Sequence, residues 1–358
     1  MREIPYEKKT PKRGLLAGLK GLGAAFALAA LSIAAGCASG PAVQEALVPQ
    51  TPLIWPSPPE PARVQYIKTI SRPEDIGASK GFFRRVADLL LGSKNDRLIK
   101  PYGLTMDSRG RLIIADTAFK KVHIFDLTEK GYESIDEPGS EVFESPIAAA
   151  TDSQDNIYIT DSVARKVFVL SPRGKLLRSF NAGERPTGIA INRQAGRVYV
   201  TDTSSHTVGI YDLEGRELGS FGKRGRANGE FNYPVDLTLD HDGNVFVIDS
   251  LNFRIQIFDG KGVFQSSFGQ QGDGTGDFGR PKGIALDRDG HIYVADALFD
   301  TIQIFDWDGK FLLNFGSLGR SAGTFWLPSG IFIDQGNRIY VSDSYNSRVQ
   351  VFEYLGQN

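Results

Sequence analysis

Six aspartates at one place of a repeated pattern are the first candidates for chemistry in this sequence. Each follows a short run of β-branched and aromatic residues, fifteen or sixteen positions after a recurring proline. The six are Asp116, Asp161, Asp202, Asp249, Asp296 and Asp343. A carboxylate where a strand turns into a loop can accept loop N–H groups, and a ring of carboxylates could attract a metal ion. Because every copy carries one, and catalytic sites are asymmetric, we expect these aspartates to be structural.

The four histidines are the next candidates, since catalytic zinc needs about three protein ligands, commonly histidine, at one open site. His123 falls in a strand where other copies carry glutamine, and His206 falls in a loop. His241 and His291 occupy nearby positions in adjacent copies, but a third partner is missing. The sequence has no P-loop, dinucleotide fingerprint or nucleophile elbow. These patterns predict no catalytic residue, no metal site and no cofactor.

One further aspartate departs from the repeated pattern. Asp236 stands where most other copies have glycine, near the start of the first strand of its copy. It is the best single candidate for a polar group in a channel between the copies. The alternative is a turn carboxylate whose hydrogen bonds are satisfied locally.

The repeated unit that positions these residues is clearest from Pro281 to Gly316. Four short apolar runs, near 283–287, 291–295, 301–305 and 311–315, are separated by polar turns, and the pattern predicts a four-stranded antiparallel meander. The unit recurs at steps of 40 to 48 residues, after Pro101, Pro146, Pro186, Pro234, Pro281 and Pro328. A period in the forties with an all-strand unit predicts an all-β, six-bladed β-propeller of four-stranded blades over residues 101–358.

The two ends of the repeat indicate how the ring closes. After the run Arg348–Phe352 only six residues remain, so the sixth copy lacks a full fourth strand. The segment Arg63–Ile70 reads as a spare strand ahead of the first copy. Because an open sheet edge leaves backbone groups unpaired, we expect residues 63–70 to complete the sixth blade of a domain that spans 63–358.

Several segments resemble NHL repeats, the units of six-bladed NHL β-propellers. The best matches are Pro234–Asp259 and Pro328–Glu353, and the connectors from Phe-Gly to Gly-x-Phe fit as well. The resemblance implies a six-bladed propeller over Pro101–Phe352. The pattern is incomplete, because the family's Asn-x-Arg is kept only at Asn252/Arg254 and Asn346/Arg348.

The N-terminus reads as an export signal. A basic stretch precedes the apolar run 22–35, which has the length of a signal-peptide core, so residues 1–36 are predicted to be removed. The residues before Cys37, the only cysteine, resemble a bacterial lipobox, which implies lipid attachment at Cys37 and, with Ala38 following, the outer membrane. Whether the propeller faces the periplasm or the outside stays open. A plain signal peptide or an uncleaved anchor is the alternative.

Two segments link the signal to the repeats. Residues 37–62 are rich in proline and predict a semi-rigid tether, in which the apolar run Leu53–Trp55 is expected to dock on the folded body. Residues 80–94 carry apolar positions at helical spacing and predict a short amphipathic helix that packs over one end of the domain.

The connectors between blades predict a binding face, because blade interiors are committed to packing and loops are free to bind. Connectors 222–233, 269–280 and 316–327 and their flanks bring together Lys223, Arg224, Arg226, Arg280, Lys282, Arg320 and Trp326. Arginine with an exposed aromatic is typical of interface anchors. The alternative is that Trp326 packs under its loop and the charges are only solvated.

The sequence therefore predicts a non-catalytic, monomeric, lipid-anchored envelope propeller that binds a protein or an anionic glycan. The alternative is a metal-dependent lyase or lactonase-like hydrolase with its site at the channel mouth. The resemblance implies this alternative because one NHL-like propeller, the amidating lyase, is a zinc enzyme. Three or more Asp, Glu or His converging at one mouth would favour it. Some NHL propellers bind nucleic acid, but export and the balance of 41 Lys+Arg against 42 Asp+Glu predict no nucleic-acid partner.

Overall fold

A computed structural model describes residues 52–78 and 96–356 of the chain. The predicted signal peptide, Cys37, the first part of the tether and the predicted helix at 80–94 lie outside these residues. The described part is all-β, with short 3₁₀ turns at Pro73–Ile76, Ser250–Asn252 and Ser344–Asn346. No helix within it is long and apolar enough to cross a membrane.

The strands form six antiparallel sheets that follow one another around a ring, so the six-bladed propeller is confirmed. Two strands precede the first blade: β1 (Ile54–Trp55) and β2 (Val64–Ile70). Blades one to three are β3 (Pro101–Met106), β4 (Arg111–Asp116), β5 (Lys121–Asp126), β6 (Gly131–Ile135); β7 (Pro146–Thr151), β8 (Ile157–Asp161), β9 (Lys166–Leu170), β10 (Leu176–Asn181); β11 (Pro186–Asn192), β12 (Arg197–Asp202), β13 (Thr207–Asp212), β14 (Glu217–Phe221). Blades four to six are β15 (Pro234–Leu239), β16 (Val245–Asp249), β17 (Arg254–Phe258), β18 (Phe264–Phe268); β19 (Pro281–Leu286), β20 (Ile292–Asp296), β21 (Thr301–Phe305), β22 (Phe311–Phe315); β23 (Pro328–Ile333), β24 (Arg338–Asp343), β25 (Arg348–Tyr354).

The hydrophobic core lies between neighbouring blades. Strands two and three of each blade are apolar on both faces, as the run Val245–Asp249 illustrates, with all five residues buried. Phe246 and Ile248 of the fourth blade, for example, pack with Ile284 and Val294 of the fifth. Each fully buried Ile or Phe contributes about 1.5–3 kcal/mol, so the stability of one blade depends on both neighbours.

Small residues let the six inner strands approach each other around the axis. A Cβ atom on Gly330 would lie 2.2 Å from the carbonyl oxygen of Tyr102, and one on Gly283 would lie 2.1 Å from that of Ser329. Both distances are far below van der Waals contact, so glycine is required where the blades converge. This requirement explains the Pro-x-Gly that opens most blades.

The ring closes through the segment ahead of the first blade. Strand β2 pairs antiparallel with β25, from Val64 opposite Tyr354 to Ile70 opposite Val349. Strand β1 adds a fifth strand outside β2, so this sheet exceeds the four strands predicted. The Trp55 ring lies 5.9 Å from that of Phe315 and 5.8 Å from that of Phe352, which docks the end of the tether on the blade.

Candidate functional site

The axis of the propeller holds two cavities. We call the face where the inner strands begin, and where the connectors run, the connector face; the opposite face is the turn face. A cavity of about 510 Å³ opens on the connector face, and one of about 800 Å³ opens on the turn face. Both volumes suit a small-molecule ligand.

The connector-face cavity, called here the mouth cavity, is lined by cations and hydroxyls. Its charged side chains are Lys100, Arg185, Arg280 and Lys282, and none of the described residues that line it is acidic. The remaining lining residues are Tyr102, Thr117, Ser145, Ile147, Thr187, Thr203, Tyr233, Val235, Ser250 and Leu251. These lining residues come from five of the six blades. On a chain with almost equal numbers of basic and acidic residues, this cavity concentrates positive charge.

Lys282 is held across the mouth cavity. Its Nζ atom donates to the hydroxyl of Tyr102 at 3.2 Å and lies 5.5 Å from the centre of the Tyr102 ring. The two residues belong to blades five and one, so the contact spans the inner strand of blade six. The Lys282 ammonium therefore has a defined place at the opening, at a lower entropic cost than a free lysine would incur on binding a ligand.

The hydroxyl groups at the floor of the mouth cavity are engaged between blades. Thr203 donates to the carbonyl of Pro234 at 2.7 Å, and Ser250 donates to that of Pro281 at 2.9 Å. Ser344, which follows the repeated aspartate of blade six, donates in the same way to Pro101. These bonds tie each blade to the next, which leaves the cations as the groups free to bind a ligand.

A strip of two aromatic rings flanked by two cations runs from the last connector to the mouth cavity. The Arg320 guanidinium lies 4.9 Å from the ring centre of Trp326, whose ring lies 5.6 Å from that of Tyr345. The Lys100 ammonium lies 5.3 Å from the Tyr345 ring and also lines the mouth cavity. Tyr345 is 50% exposed, whereas Trp326 is half-buried between its neighbours. We call these four residues the aromatic strip.

The structure divides the predicted binding face into two regions. Arg280 and Lys282 line the mouth cavity, whereas Arg224 and Arg226 lie exposed on the connector between blades three and four. Lys223 is paired with Glu230, with 3.4 Å between Nζ and Oε1. Arg320 and Trp326 belong to the aromatic strip, so Trp326 neither stands free nor lies fully under its loop.

The connectors are held rigidly on the blades that carry the complete motif. Arg254 donates to Asp249 at 2.9 Å and to the carbonyls of Ala227 and Glu230 at 2.8 and 2.9 Å, and Asn252 donates to the carbonyl of Gly225. Arg348 and Asn346 repeat these bonds on the last connector. The connector 269–280 lacks both side chains, since Phe299 and Thr301 stand in their places.

The repeated aspartates hold the loops of the connector face. Asp296, for example, accepts from the backbone N–H groups of Gly279, Arg280, Leu298 and Phe299. Equivalent backbone bonds surround Asp116, Asp161 and Asp202, and side chains also donate to Asp202, Asp249 and Asp343. All six side chains are buried. Burial raises the pKa of Asp249 and Asp343 above the usual value, although hydrogen bonds to both oppose it.

Asp236 lies on an inner strand that lines the channel. It is the third residue of β15, level with Gly188 and Gly283 of the adjacent inner strands. A Cβ on Gly188 would lie 2.7 Å from Asp236 Oδ1, and Oδ2 accepts the backbone N–H of Ile284 at 3.2 Å. Burial raises the pKa of Asp236 to about 7, against the lowering effect of the backbone N–H groups of Ile284 and Leu237. Asp236 also lines the turn-face cavity, so it faces a channel and not a turn.

The turn-face cavity has acidic residues at its rim, but their oxygens are engaged. Asp107 accepts from the Arg111 guanidinium at 2.6 Å, and Asp240 accepts from the Asn244 amide at 2.7 Å. Asp334 accepts from the hydroxyl of Tyr340 at 3.2 Å and from backbone N–H groups. These carboxylates close the turns between inner strands and their neighbours.

The histidines occupy four separate environments. His123 is fully buried, with Nδ1 2.9 Å from the hydroxyl of Tyr132, and burial lowers its pKa to about 4. His206 accepts the backbone N–H of Tyr233 at 3.0 Å, and burial, followed by the nearby Arg224, lowers its pKa. His241 is exposed beside Asp242.

The fourth histidine belongs to the one described group of three side chains whose geometry could hold a metal ion: Asp287, Asp289 and His291. Asp287 Oδ1 accepts from the N–H groups of Asp289 and His291, and Oδ2 accepts from His291 Nδ1 and the Tyr293 hydroxyl. With both oxygens occupied, the group closes a turn as Asp107 does. It is also absent from the described lining of either cavity.

Sequence reasoning missed half of the cations in the mouth cavity, namely Lys100 and Arg185, together with Tyr102 and Tyr233. The signal was available, because Lys100, Arg185 and Arg280 each directly precede a blade-opening proline. Those prolines begin the inner strands at the axis. Residues next to them must therefore ring the opening.

Two family descriptions match parts of this sequence. The NHL repeat matches residues 184–211 and 325–352, and a 6-bladed beta-propeller family matches residues 234–302. Protein brain tumor of Drosophila melanogaster is 30% identical over 137 residues, which are 37% of this chain and 13% of that protein. E3 ubiquitin-protein ligase NHLRC1 of Homo sapiens is 39% identical over 57 residues, 16% of this chain and 14% of that protein. The chain thus spans only a small part of the relatives it matches.

Solved structures share the fold. An auxiliary nutrient binding protein from Bacteroides thetaiotaomicron superposes with a TM-score of 0.59 at 14% identity, over 73% of this chain and 71% of that one. A virginiamycin B lyase from Staphylococcus aureus superposes with a TM-score of 0.54 at 15% identity, over 72% and 95%. At such low identity the likeness concerns the propeller and not the chemistry performed on it.

Proposed function

We propose that this NHL-repeat, six-bladed propeller is a non-catalytic binding module whose connector face takes an anionic protein or glycan partner. The observation that carries the proposal is the aromatic strip, Arg320–Trp326–Tyr345–Lys100, which joins the last connector to a mouth cavity lined by cations. Positive charge beside partly exposed aromatic rings is the composition of interface anchors. The likeness to an auxiliary nutrient binding protein, at 14% identity, concerns the fold and is compatible with a binding role.

The rival proposal, a metal-dependent lyase or lactonase-like hydrolase, requires ligands that converge at a channel mouth. The described lining of the mouth cavity contains no carboxylate and no histidine. Five Asp and His side chains line the turn-face cavity, but the oxygens of Asp107, Asp240 and Asp334 are held by their own turns. Asp236 accepts the backbone N–H of Ile284, and His241 is exposed beside Asp242. The likeness to a virginiamycin B lyase concerns the fold, so the arrangement of side chains favours binding over catalysis.

Charge reversal on the connector face tests the proposal. The triple variant Arg224→Glu, Arg226→Glu and Arg320→Glu should lose recovery of the partner from the native envelope by at least about tenfold, since each lost charged contact is worth about 1.5–3 kcal/mol. The matched control reverses Lys175, Lys261 and Lys310, exposed lysines at turns of the opposite face. The melting temperature should be unchanged in both. Recovery of the same partners by the first variant at raised salt would show that the binding face lies elsewhere.

We also propose that the module is held at the outer membrane by a lipid on Cys37. The support is the sequence before Cys37, which lies outside the described residues, and the proline-rich tether, of which residues 52–62 are described. Cys37→Ala should release the protein from the membrane fraction or stall its processing, whereas Ala38→Ser should leave it anchored. Unchanged fractionation and an unchanged precursor-to-mature shift of Cys37→Ala would contradict the anchor.

A further inference from the structure

The mouth cavity has the features of a small-molecule site that is separate from the connector surface. Its volume of about 510 Å³ lies within the range of ligand pockets, and its walls come from five blades of a closed ring. Two exposed apolar or aromatic side chains stand at the opening: Leu251, 45% exposed, and Tyr233, 40% exposed. A ligand could therefore enter from the connector face without any blade moving.

Among the described residues, no carboxylate forms an ion pair with a cation of the mouth cavity, although Asp202 and Asp296 accept the backbone N–H groups of Arg185 and Arg280. Within residues 52–78 and 96–356, no ion pair or side-chain hydrogen bond neutralises Arg185 or Arg280, and Lys282 contacts only a tyrosine. This contrasts with Arg111, Arg254 and Arg348, which are each paired with a buried aspartate. Like charges gathered in a partly enclosed site repel one another, and an anion between them would relieve that repulsion.

The types of cation indicate what the anion is. Two guanidinium groups and two ammonium groups surround the cavity, and guanidinium binds carboxylate or phosphate oxygens in a fork of parallel hydrogen bonds. The neighbouring hydroxyls of Thr203 and Ser250 donate to the chain itself, so they have no proton left to give an anion, and the cations supply the donors. With four positive charges to meet, a single negative charge would leave most of them unmatched.

We propose that the mouth cavity is a binding site for a small molecule that carries two or more oxyanion groups, carboxylate or phosphate. Arg185 and Arg280 bind these groups from blades three and five, and Lys282, which also bonds the Tyr102 hydroxyl, binds from blade five. Lys100 joins the site to the aromatic strip, so a ligand in the cavity lies beside the surface that takes the larger partner. The site shares Lys100 with the aromatic strip, whereas Arg185, Arg280 and Lys282 lie outside that strip.

Isothermal titration calorimetry with citrate and with pyrophosphate tests the site, and glucose serves as the uncharged control. The wild-type protein should bind at least one polyanion at physiological salt, and the comparison of the two probes separates carboxylate from phosphate. The variant Arg185→Gln/Arg280→Gln should weaken that binding by about 30-fold or more, at about 1–3 kcal/mol per lost charged contact. The matched variant Arg224→Gln/Arg226→Gln, on the connector, should bind within about twofold of wild type because it leaves the cavity unchanged. Tyr102→Phe should weaken binding less than the loss of both arginines, since Lys282 keeps its charge.

The outcomes separate this site from the proposed partner surface. Loss of probe binding in Arg185→Gln/Arg280→Gln, with recovery of the macromolecular partner intact, supports a small-molecule site of its own. Absence of polyanion binding by the wild-type protein at probe concentrations up to about 10 mM would overturn the site, whatever the partner experiment shows. An equal loss of probe binding in Arg185→Gln/Arg280→Gln and in Arg224→Gln/Arg226→Gln would also overturn the site. Such a result would show that the probes bind through general surface charge.

Discussion

His123 is a buried histidine at a position where blades four, five and six carry glutamine. Gln256 and Gln350 each donate to a carbonyl of their connector, at 2.7 and 2.6 Å. His123 instead bonds Tyr132, and burial lowers its pKa to about 4 from 6.5. In the unfolded chain the side chain takes up a proton near pH 6.5, but in the folded protein it does so only near pH 4. The folded state therefore loses stability as the pH falls from about 6.5 to about 4.

His123→Gln should reduce the stability lost between about pH 6.5 and pH 4, because glutamine has no proton to take up. We expect it to recover about 1–3 kcal/mol of the free energy of unfolding at pH 4. Urea unfolding at several pH values measures it. The matched control is His241→Gln, in which the exposed histidine is removed and the slope should persist. Part of the slope should remain in His123→Gln as well, since the pKa of His206 is also lowered. Identical pH slopes for His123→Gln and wild type would contradict this account of His123.

Asp236 gives stability the opposite dependence on pH. Its folded pKa of about 7 exceeds the usual 3.8, so the folded protein holds a proton that the unfolded chain has released between those values. Stability therefore falls as the pH rises from about 4 to about 7. Asp236→Asn should raise stability at pH 8 by about 1–2 kcal/mol, after allowance for water in the channel, and remove that slope.

Thermal unfolding at pH 5 and pH 8 tests this prediction, with the exposed Asp242→Asn as the control. Wild type and Asp236→Asn should differ most at pH 8 and less at pH 5, and their difference should level off only below about pH 4, where the carboxyl is neutral in the folded and the unfolded chain alike. Lower stability of Asp236→Asn at pH 8 would mean that the charged carboxylate is stabilised by something in the channel, such as a bound cation.

At the scale of elements, the connectors owe their shape to a few residues. Phe231 is fully buried against Gly222, where a Cβ would lie 2.4 Å from the ring, and the Arg224–Phe231 bridge recurs as Gln271–Phe278. The Phe-Gly and Gly-x-Phe ends of the connector are therefore two halves of one contact. Their tips are free to vary, which places sequence variation at the surface where binding is proposed.

Arg254→Gln should destabilise the protein by about 2–4 kcal/mol, because it leaves the buried carboxylate of Asp249 without its cation and frees the carbonyls of Ala227 and Glu230. Urea unfolding measures the loss. Arg216→Gln is the matched control, since the Arg216 side chain is 78% exposed in its pair with Asp212 and should cost about 0.5 kcal/mol or less. Equal effects of the two variants would show that the connector is held by Phe231 and not by Arg254.

At the scale of the whole molecule, the ring depends on β2. Without β2, β25 would present an open edge, and the contacts of Trp55 with Phe315 and Phe352 would be lost as well. A chain that begins at residue 71 should aggregate or lose several kcal/mol of stability, whereas a chain that begins at Pro52 should unfold cooperatively at the temperature of the full domain. Size-exclusion chromatography and calorimetry measure both. A soluble, cooperative fragment from residue 71 onward would contradict closure by β2.

The sequence alone determined the class of fold, the number of blades and the place of closure. These follow from local features that repeat: strand periodicity, Asp–Gly turns, and a last copy without a fourth strand. Repetition makes each weak signal strong, so the ring could be predicted before any contact was known. The repeated aspartates could likewise be interpreted as structural, because chemistry at one site does not need six identical groups.

Only the tertiary structure decided what the connector face offers to a ligand. Lys282 and Tyr102 are 180 positions apart and meet because the ring closes. Lys223 is partly neutralised by Glu230, and Trp326 is half-buried between Arg320 and Tyr345. The positions of the basic residues in the sequence reveal neither contact. The physical reason is that blade formation depends on contacts within one repeat of 40 to 48 residues, whereas the mouth cavity is built from two to four residues of each of five blades. Which charges share that cavity is decided by the closure of the ring.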